Sequence, residues 1–188
     1  MAPTVSVDTI EATKTAINFT YAVDDPTNLL TIENVELYHG EDIVSTLSDL
    51  TINSFTDLLS NNTYKVRINY NFDLNDGEGI QRYYVEREIK TLPKISPAFS
   101  FVEVTSTQNS VSYKYSKMDP DKTLVIDSVE LYLDDTLIDT SNDGKVTGTF
   151  SNLLANTLYK VRLSYHIDLN DGAEISYVHD EHTIQTKA

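Results

Sequence analysis

Cysteine is absent from the sequence, which excludes disulfides and thiolate nucleophiles. That absence says nothing of the redox compartment, because a domain with a sufficient core needs no disulfide. Basic residues are scarce. Fourteen stand against 29 acids, for a net charge of -15 over 188 residues. So acidic a surface repels phosphate backbones, anionic membranes and anionic wall polymers, and nucleic acid is not an expected partner. No apolar run reaches the roughly 18 residues of a membrane-spanning helix, so no membrane insertion is expected. The opening residues, Met1-Ala2-Pro3-Thr4, lack the charged start and apolar stretch of a secretory leader. No glycine-rich phosphate loop, nucleophile elbow or zinc spacing occurs.

What is present is an internal repeat. Phe55-Thr-Asp-Leu-Leu-Ser-Asn-Asn-Thr-Tyr64-Lys-Val-Arg is echoed by Phe150-Ser-Asn-Leu-Leu-Ala-Asn-Thr-Leu-Tyr159-Lys-Val-Arg, and Asp73-Leu-Asn-Asp-Gly77 by Asp168-Leu-Asn-Asp-Gly172. Both lie 95 residues apart, whereas Val35-Glu-Leu-Tyr38 and Val129-Glu-Leu-Tyr132 lie 94 apart. One residue has been gained between Tyr132 and Phe150, which predicts a longer loop there. A period this long suits a complete sandwich domain of about 100 residues and is too long for a solenoid unit. Two domains are expected, at 1–93 and 94–188, each able to fold alone. Their junction, Thr91-Leu-Pro93-Lys-Ile-Ser-Pro97, carries two prolines and is short, so it is stiff. Pro3 aligns with Pro97 and Thr186 with Thr91, which predicts a fragment of a longer protein, with Met1 supplied for expression.

Tyr64–Leu74 alternates strictly. Tyr64, Val66, Ile68, Tyr70, Phe72 and Leu74 fall on one face and Lys65, Arg67, Asn69, Asn71 and Asp73 on the other, as in a half-buried strand. Tyr159–Leu169 repeats the pattern. Asn75-Asp-Gly77 and Asn170-Asp-Gly172 then read as hairpin turns, with return strands over Ile80–Ile89 and Ile175–Ile184. Further strands are expected at Val5–Ile10, at Ile17 to Val23, at Val35–Tyr38, at Ile43–Leu47 and at a segment ending at Phe55. No helical period appears. Most of the 12 tyrosines fall on inward positions, while Tyr83, Tyr84 and Tyr177 are candidates for exposure.

Leu153-Leu-Ala-Asn-Thr-Leu-Tyr159, with Leu58-Leu-Ser-Asn-Asn-Thr-Tyr64 in the first copy, resembles the E–F segment of fibronectin type III domains. The resemblance implies an all-β fold of two tandem fibronectin type III or immunoglobulin-like sandwiches. It also implies that Tyr64 and Tyr159 are tyrosine corners, whose hydroxyls return to a backbone group upstream. The family's strand-B tryptophan is missing, and Tyr21 and Tyr115 occupy its place. The Val-Glu-Leu-Tyr strand and Asp-Leu-Asn-Asp-Gly hairpin also resemble modules of phage tail, adhesion and bacterial surface proteins.

Candidate chemistry is thin. Asp73, Asn75, Asp76 and Glu78, with Asp168, Asn170, Asp171 and Glu174, offer oxygen ligands, so Asp73, Asp76, Asp168 and Asp171 are the calcium candidates. Their spacing departs from a calcium loop, and a plain turn explains them without metal. His179-Asp-Glu-His182 has a metal-like spacing, but residues three apart on a strand face opposite ways. No cofactor and no catalysis are expected. The leading function is a structural spacer in a larger extracellular or virion assembly, partnered by other subunits or domains. The alternatives are a module binding cell-surface glycan or protein, and an accessory domain of a secreted carbohydrate-active enzyme.

Overall fold

The computed structural model describes residues 2–74 and 76–188. Met1 and Asn75, the latter in one calcium-candidate turn, lie outside the described residues. The chain divides into two compact units between Lys94 and Ile95, with Asn170–Gly172 grouped with the first.

The first unit has seven strands: β1 (Thr4–Ala12), β2 (Ile17–Asp24), β3 (Leu30–His39), β4 (Asp42–Leu47), β5 (Ser54–Phe55), β6 (Thr63–Phe72) and β7 (Gln81–Lys90). They form two antiparallel sheets, ordered β1-β2-β5 and β4-β3-β6-β7. The second unit repeats this with β8 (Ala98–Ser106), β9 (Ser110–Met118), β10 (Leu124–Leu133), β11 (Thr136–Ser141), β12 (Thr147–Ser151), β13 (Leu158–Ile167) and β14 (Ser176–Gln185). Its sheets run β12-β9-β8 and β11-β10-β13-β14. No helix occurs among the described residues. The fold is all-β, two tandem fibronectin type III-like sandwiches.

Alternation places the cores. Ile17, Phe19 and Phe55 from the three-stranded sheet meet Val35, Leu37, Tyr64, Val66 and Ile68 from the four-stranded sheet, all buried. Val111, Tyr113 and Phe150 meet Val129, Leu131, Tyr159, Val161 and Leu163 in the second unit. The gained residue falls between Ser141 and Thr147. Strands β10 and β11 keep the offset of 94, and β12 and β13 follow at 95.

Three bulges recur in both copies. Asp8 and Val102, Glu33 and Asp127, and Val44 and Ile138 are each the extra residue where the register shifts. An extra residue flips the parity of the strand. Thus Val5 and Val7 point inward before Asp8, and Ile10 and Ala12 after it.

The strand ends correct the sequence reading. Strand β6 stops at Phe72, so Leu74 is 39% exposed and off the inward face. Phe72 pairs with Gln81 and Ile167 with Ser176. Asp76-Gly77 and Asn170-Asp-Gly172 therefore sit inside longer connections, not two-residue hairpins. The return strands begin one residue later than expected, at Gln81 and Ser176. Val23, expected inward, is 46% exposed at the end of β2.

Candidate functional site

The E–F segments lie where both corner tyrosines act. The Tyr64 hydroxyl accepts the Leu59 N–H at 3.0 Å, and the Tyr159 hydroxyl accepts the Leu154 N–H at 3.0 Å. Both rings are buried. The carbonyls of the same two leucines are held by Thr91 and Thr186, which align in the repeat but have no role assigned from sequence. Thr91 Oγ1 donates to Leu59 O at 2.7 Å and accepts the Asn62 N–H at 3.0 Å. Thr186 Oγ1 donates to Leu154 O at 2.6 Å and accepts the Thr157 N–H at 2.9 Å. Each leucine backbone is thus gripped at its N–H by a tyrosine and at its C=O by a threonine. The signal was there, since Thr91 and Thr186 repeat at the offset of the corner.

Tyr64→Phe and Tyr159→Phe should each destabilise their own unit by about 1 kcal/mol, because the leucine N–H loses its partner. Denaturant midpoints check this; an unmoved midpoint would remove the corner's energetic role.

The other assembly of reactive groups lies on the outward face of each four-stranded sheet. In the first unit Arg67 meets Glu86 through Nε at 2.9 Å and Nη2 at 2.8 Å, and donates through Nη1 to the Tyr38 hydroxyl at 3.1 Å. Tyr38 donates to Glu36 at 2.9 Å. The guanidinium carbon also lies 4.5 Å from the Tyr38 ring centroid and 4.2 Å from that of Tyr84. The second unit rebuilds the chain. Arg162 meets Glu181 at 2.7 and 2.6 Å and Tyr132 at 3.4 Å, and Tyr132 donates to Glu130 at 2.7 Å. His179 replaces Tyr84. Tyr38 and Tyr132 therefore belong to the outward network, unlike the tyrosines that pack inside.

The electrostatics follow the contacts. Burial opposes the charge on Arg67, but the bond to Glu86 and the neighbouring Tyr38 leave its pKa raised. Burial and the bond to Glu36 push the Tyr38 phenol up. The Arg162 guanidinium holds the Glu181 carboxyl below the usual carboxylate range. A carboxyl held lower in the folded state than in the unfolded state adds stability that is complete above about pH 5 and lost as pH falls through the carboxylate range. Glu181→Gln should accordingly flatten the acid limb of the second unit's stability profile. Urea midpoints measured down the pH scale would show this, and an unchanged slope would count against the pair.

Such a network is closed. Its charges and hydroxyls hold one another across β3, β6 and β7, or β10, β13 and β14.

The remaining candidates stand apart. Tyr115 is 3% exposed in the second core, where burial raises its phenol pKa, while Tyr21 is only partly buried. Tyr83, Tyr84 and Tyr177 are exposed. Asp76 accepts the Glu78 N–H at 3.1 Å as in an ordinary turn. Asp73, Asp168 and Asp171 lie in the same two connections, and among the described residues no three His, Asp or Glu side chains gather as metal ligands. On β14, His179 approaches Glu181 at 4.0 Å, whereas the His182 ring lies 6.3 Å from that of Phe101.

No family model and no curated protein sequence matches this chain. Solved structures similar to it include the fibronectin(III)-like modules of Clostridium thermocellum CbhA. These are 16% identical, with 98% of this chain and 94% of that one covered and a TM-score of 0.32. A two-domain fibronectin type III segment of chicken tenascin is 14% identical, with 97% and 98% covered and a TM-score of 0.34. Likenesses this distant carry no functional argument, and strand order and core composition define the fold.

Proposed function

We propose that the chain is a non-catalytic spacer within a larger extracellular or virion assembly, of the kind found in a phage tail or a bacterial surface protein. Its partners in this reading are neighbouring subunits or domains. The observation that carries the reading is the closed outward network. The same Glu-Tyr-Arg-Glu chain is built twice, and in both units it braces a sheet from outside, where a binding or catalytic face would leave groups unengaged. The proline-bearing junction at Thr91–Pro97 supports it too, because Pro93 and Pro97 each fix a φ angle.

Small-angle scattering tests the proposal. A spacer should give a radius of gyration well above the roughly 16 Å of a compact globule of this length. A value near that figure would sink the spacer reading and favour a folded binding module.

A further inference from the structure

Both units use one register, so a position where they differ in chemistry is not dictated by the fold. His39 is such a position. Its counterpart Leu133 packs against the second core. The His39 ring instead stands on the Tyr64 ring, with centroids 5.1 Å apart, and its Nε2 lies 3.1 Å from Asn62 Oδ1. Both contacts lie at the end of β3.

Beside it lies a cavity of about 320 Å³, between the edge strand β4 and the segment after β5. Val44, Leu58 and Leu59 bring apolar surface to it, and Ser45, Thr56 and Asp57 bring hydroxyls and a carboxylate. Thr56 donates to Asp57 Oδ2 at 3.2 Å, and Asp57 holds a positive φ of 58°. The volume falls within the range of small-ligand sites. No lysine or arginine lines it, and its permanent charge is the Asp57 carboxylate, so an anion is excluded.

A ligand for such a lining needs both apolar surface and hydroxyl donors, and no negative charge. A neutral sugar ring meets these terms, with C–H groups for the apolar surface and the imidazole, and hydroxyls for Asp57, Thr56 and Ser45. The second unit carries Leu133, Ile138, Asp139 and Asn152 at the matching positions, which replaces the imidazole and moves the carboxylate. We propose that the cavity beside His39 in the first unit binds a single neutral pyranose, and that the second unit does not. This does not depend on the spacer reading, since a spacer can carry a sugar site on one flank.

The test is a titration of the full chain, followed by amide NMR shifts, with the methyl glycosides of glucose, galactose, mannose and N-acetylglucosamine as probes. At least one should give saturable, millimolar shifts gathered at His39, Val44, Ser45 and Asp57. His39→Leu installs the residue that the second unit already folds around, so the domain should survive it, and it should weaken binding at least tenfold. Asp57→Asn should do the same. The proposal fails if no glycoside shifts this cluster, if the shifts persist in both variants, if the Leu133 region responds equally, or if an alkylammonium salt binds there and no glycoside does.

Discussion

Leu131→Ala should cost the second sandwich about 3 kcal/mol and leave the first where it is. Leu131 is fully buried near the end of β10, in the core of its own unit. Truncation removes three buried carbons and opens a cavity that the paired strands on either side cannot close. In a domain of this size that loss lowers the melting temperature by more than about 10 °C. Leu37, equally buried in β3, is the control, and Leu37→Ala should produce the mirror result. Calorimetry of both variants reads the outcome, with one transition moving in each. If both transitions move together in either variant, the chain melts as one body and autonomous domains at 1–93 and 94–188 are ruled out.

The next largest effect is expected at Gly148. Strand β12 pairs Gly148 directly opposite Tyr113, and the tyrosine ring lies over the glycine. A methyl group there would meet Tyr113 Cζ at 2.5 Å and Cε1 at 2.7 Å. The clash is with a buried ring, so Gly148→Ala should destabilise the second unit by about 2 kcal/mol, in the range of overpacked cores. Tyr113→Phe should move the other way. Its hydroxyl is buried with no hydrogen-bond partner among the described residues, and Phe19 fills the equivalent place in the first unit. Removing the hydroxyl should stabilise the unit by about 1 kcal/mol. Denaturant unfolding of the two variants checks both signs. A gain in stability from Gly148→Ala would show that the ring can move aside.

These two sites also show what the sequence could and could not reveal. The strands were legible wherever a strict period of two ran unbroken, as from Tyr64 to Phe72. They were least legible at the bulges. Leu30 and Ile32 face inward, then Val35 and Leu37 do, and the switch between even and odd positions marks Glu33 as the extra residue. That switch reads as broken alternation until the partner strand is seen. The turn was misread because Asp-Gly signals a tight hairpin locally, whereas the end of β6 is set by where Leu30 runs out as its neighbour. The outward network was hidden for another reason. Tyr38 and Tyr132 look like core residues by composition, and only the register puts Lys65 and Lys160 opposite them on the outer face. The cavity beside His39 could not be read at all, because it is a void left by side chains far apart in the chain.

The paired grip on Leu59 and Leu154 has a mechanical consequence. Tension applied along the polypeptide enters each sandwich at its first strand and leaves through its last. At the exit, the residue just past β7 or β14 is the threonine that holds the leucine carbonyl, while a backbone bond runs from Thr91 N to Asn62 O at 2.9 Å and from Thr186 N to Thr157 O at 3.0 Å. Pulling on that end therefore loads several bonds around one buried threonine at once, and the last strand cannot be peeled away one ladder rung at a time. The corner works as a cleat on the line, and force must break it as a unit before the sheet begins to open.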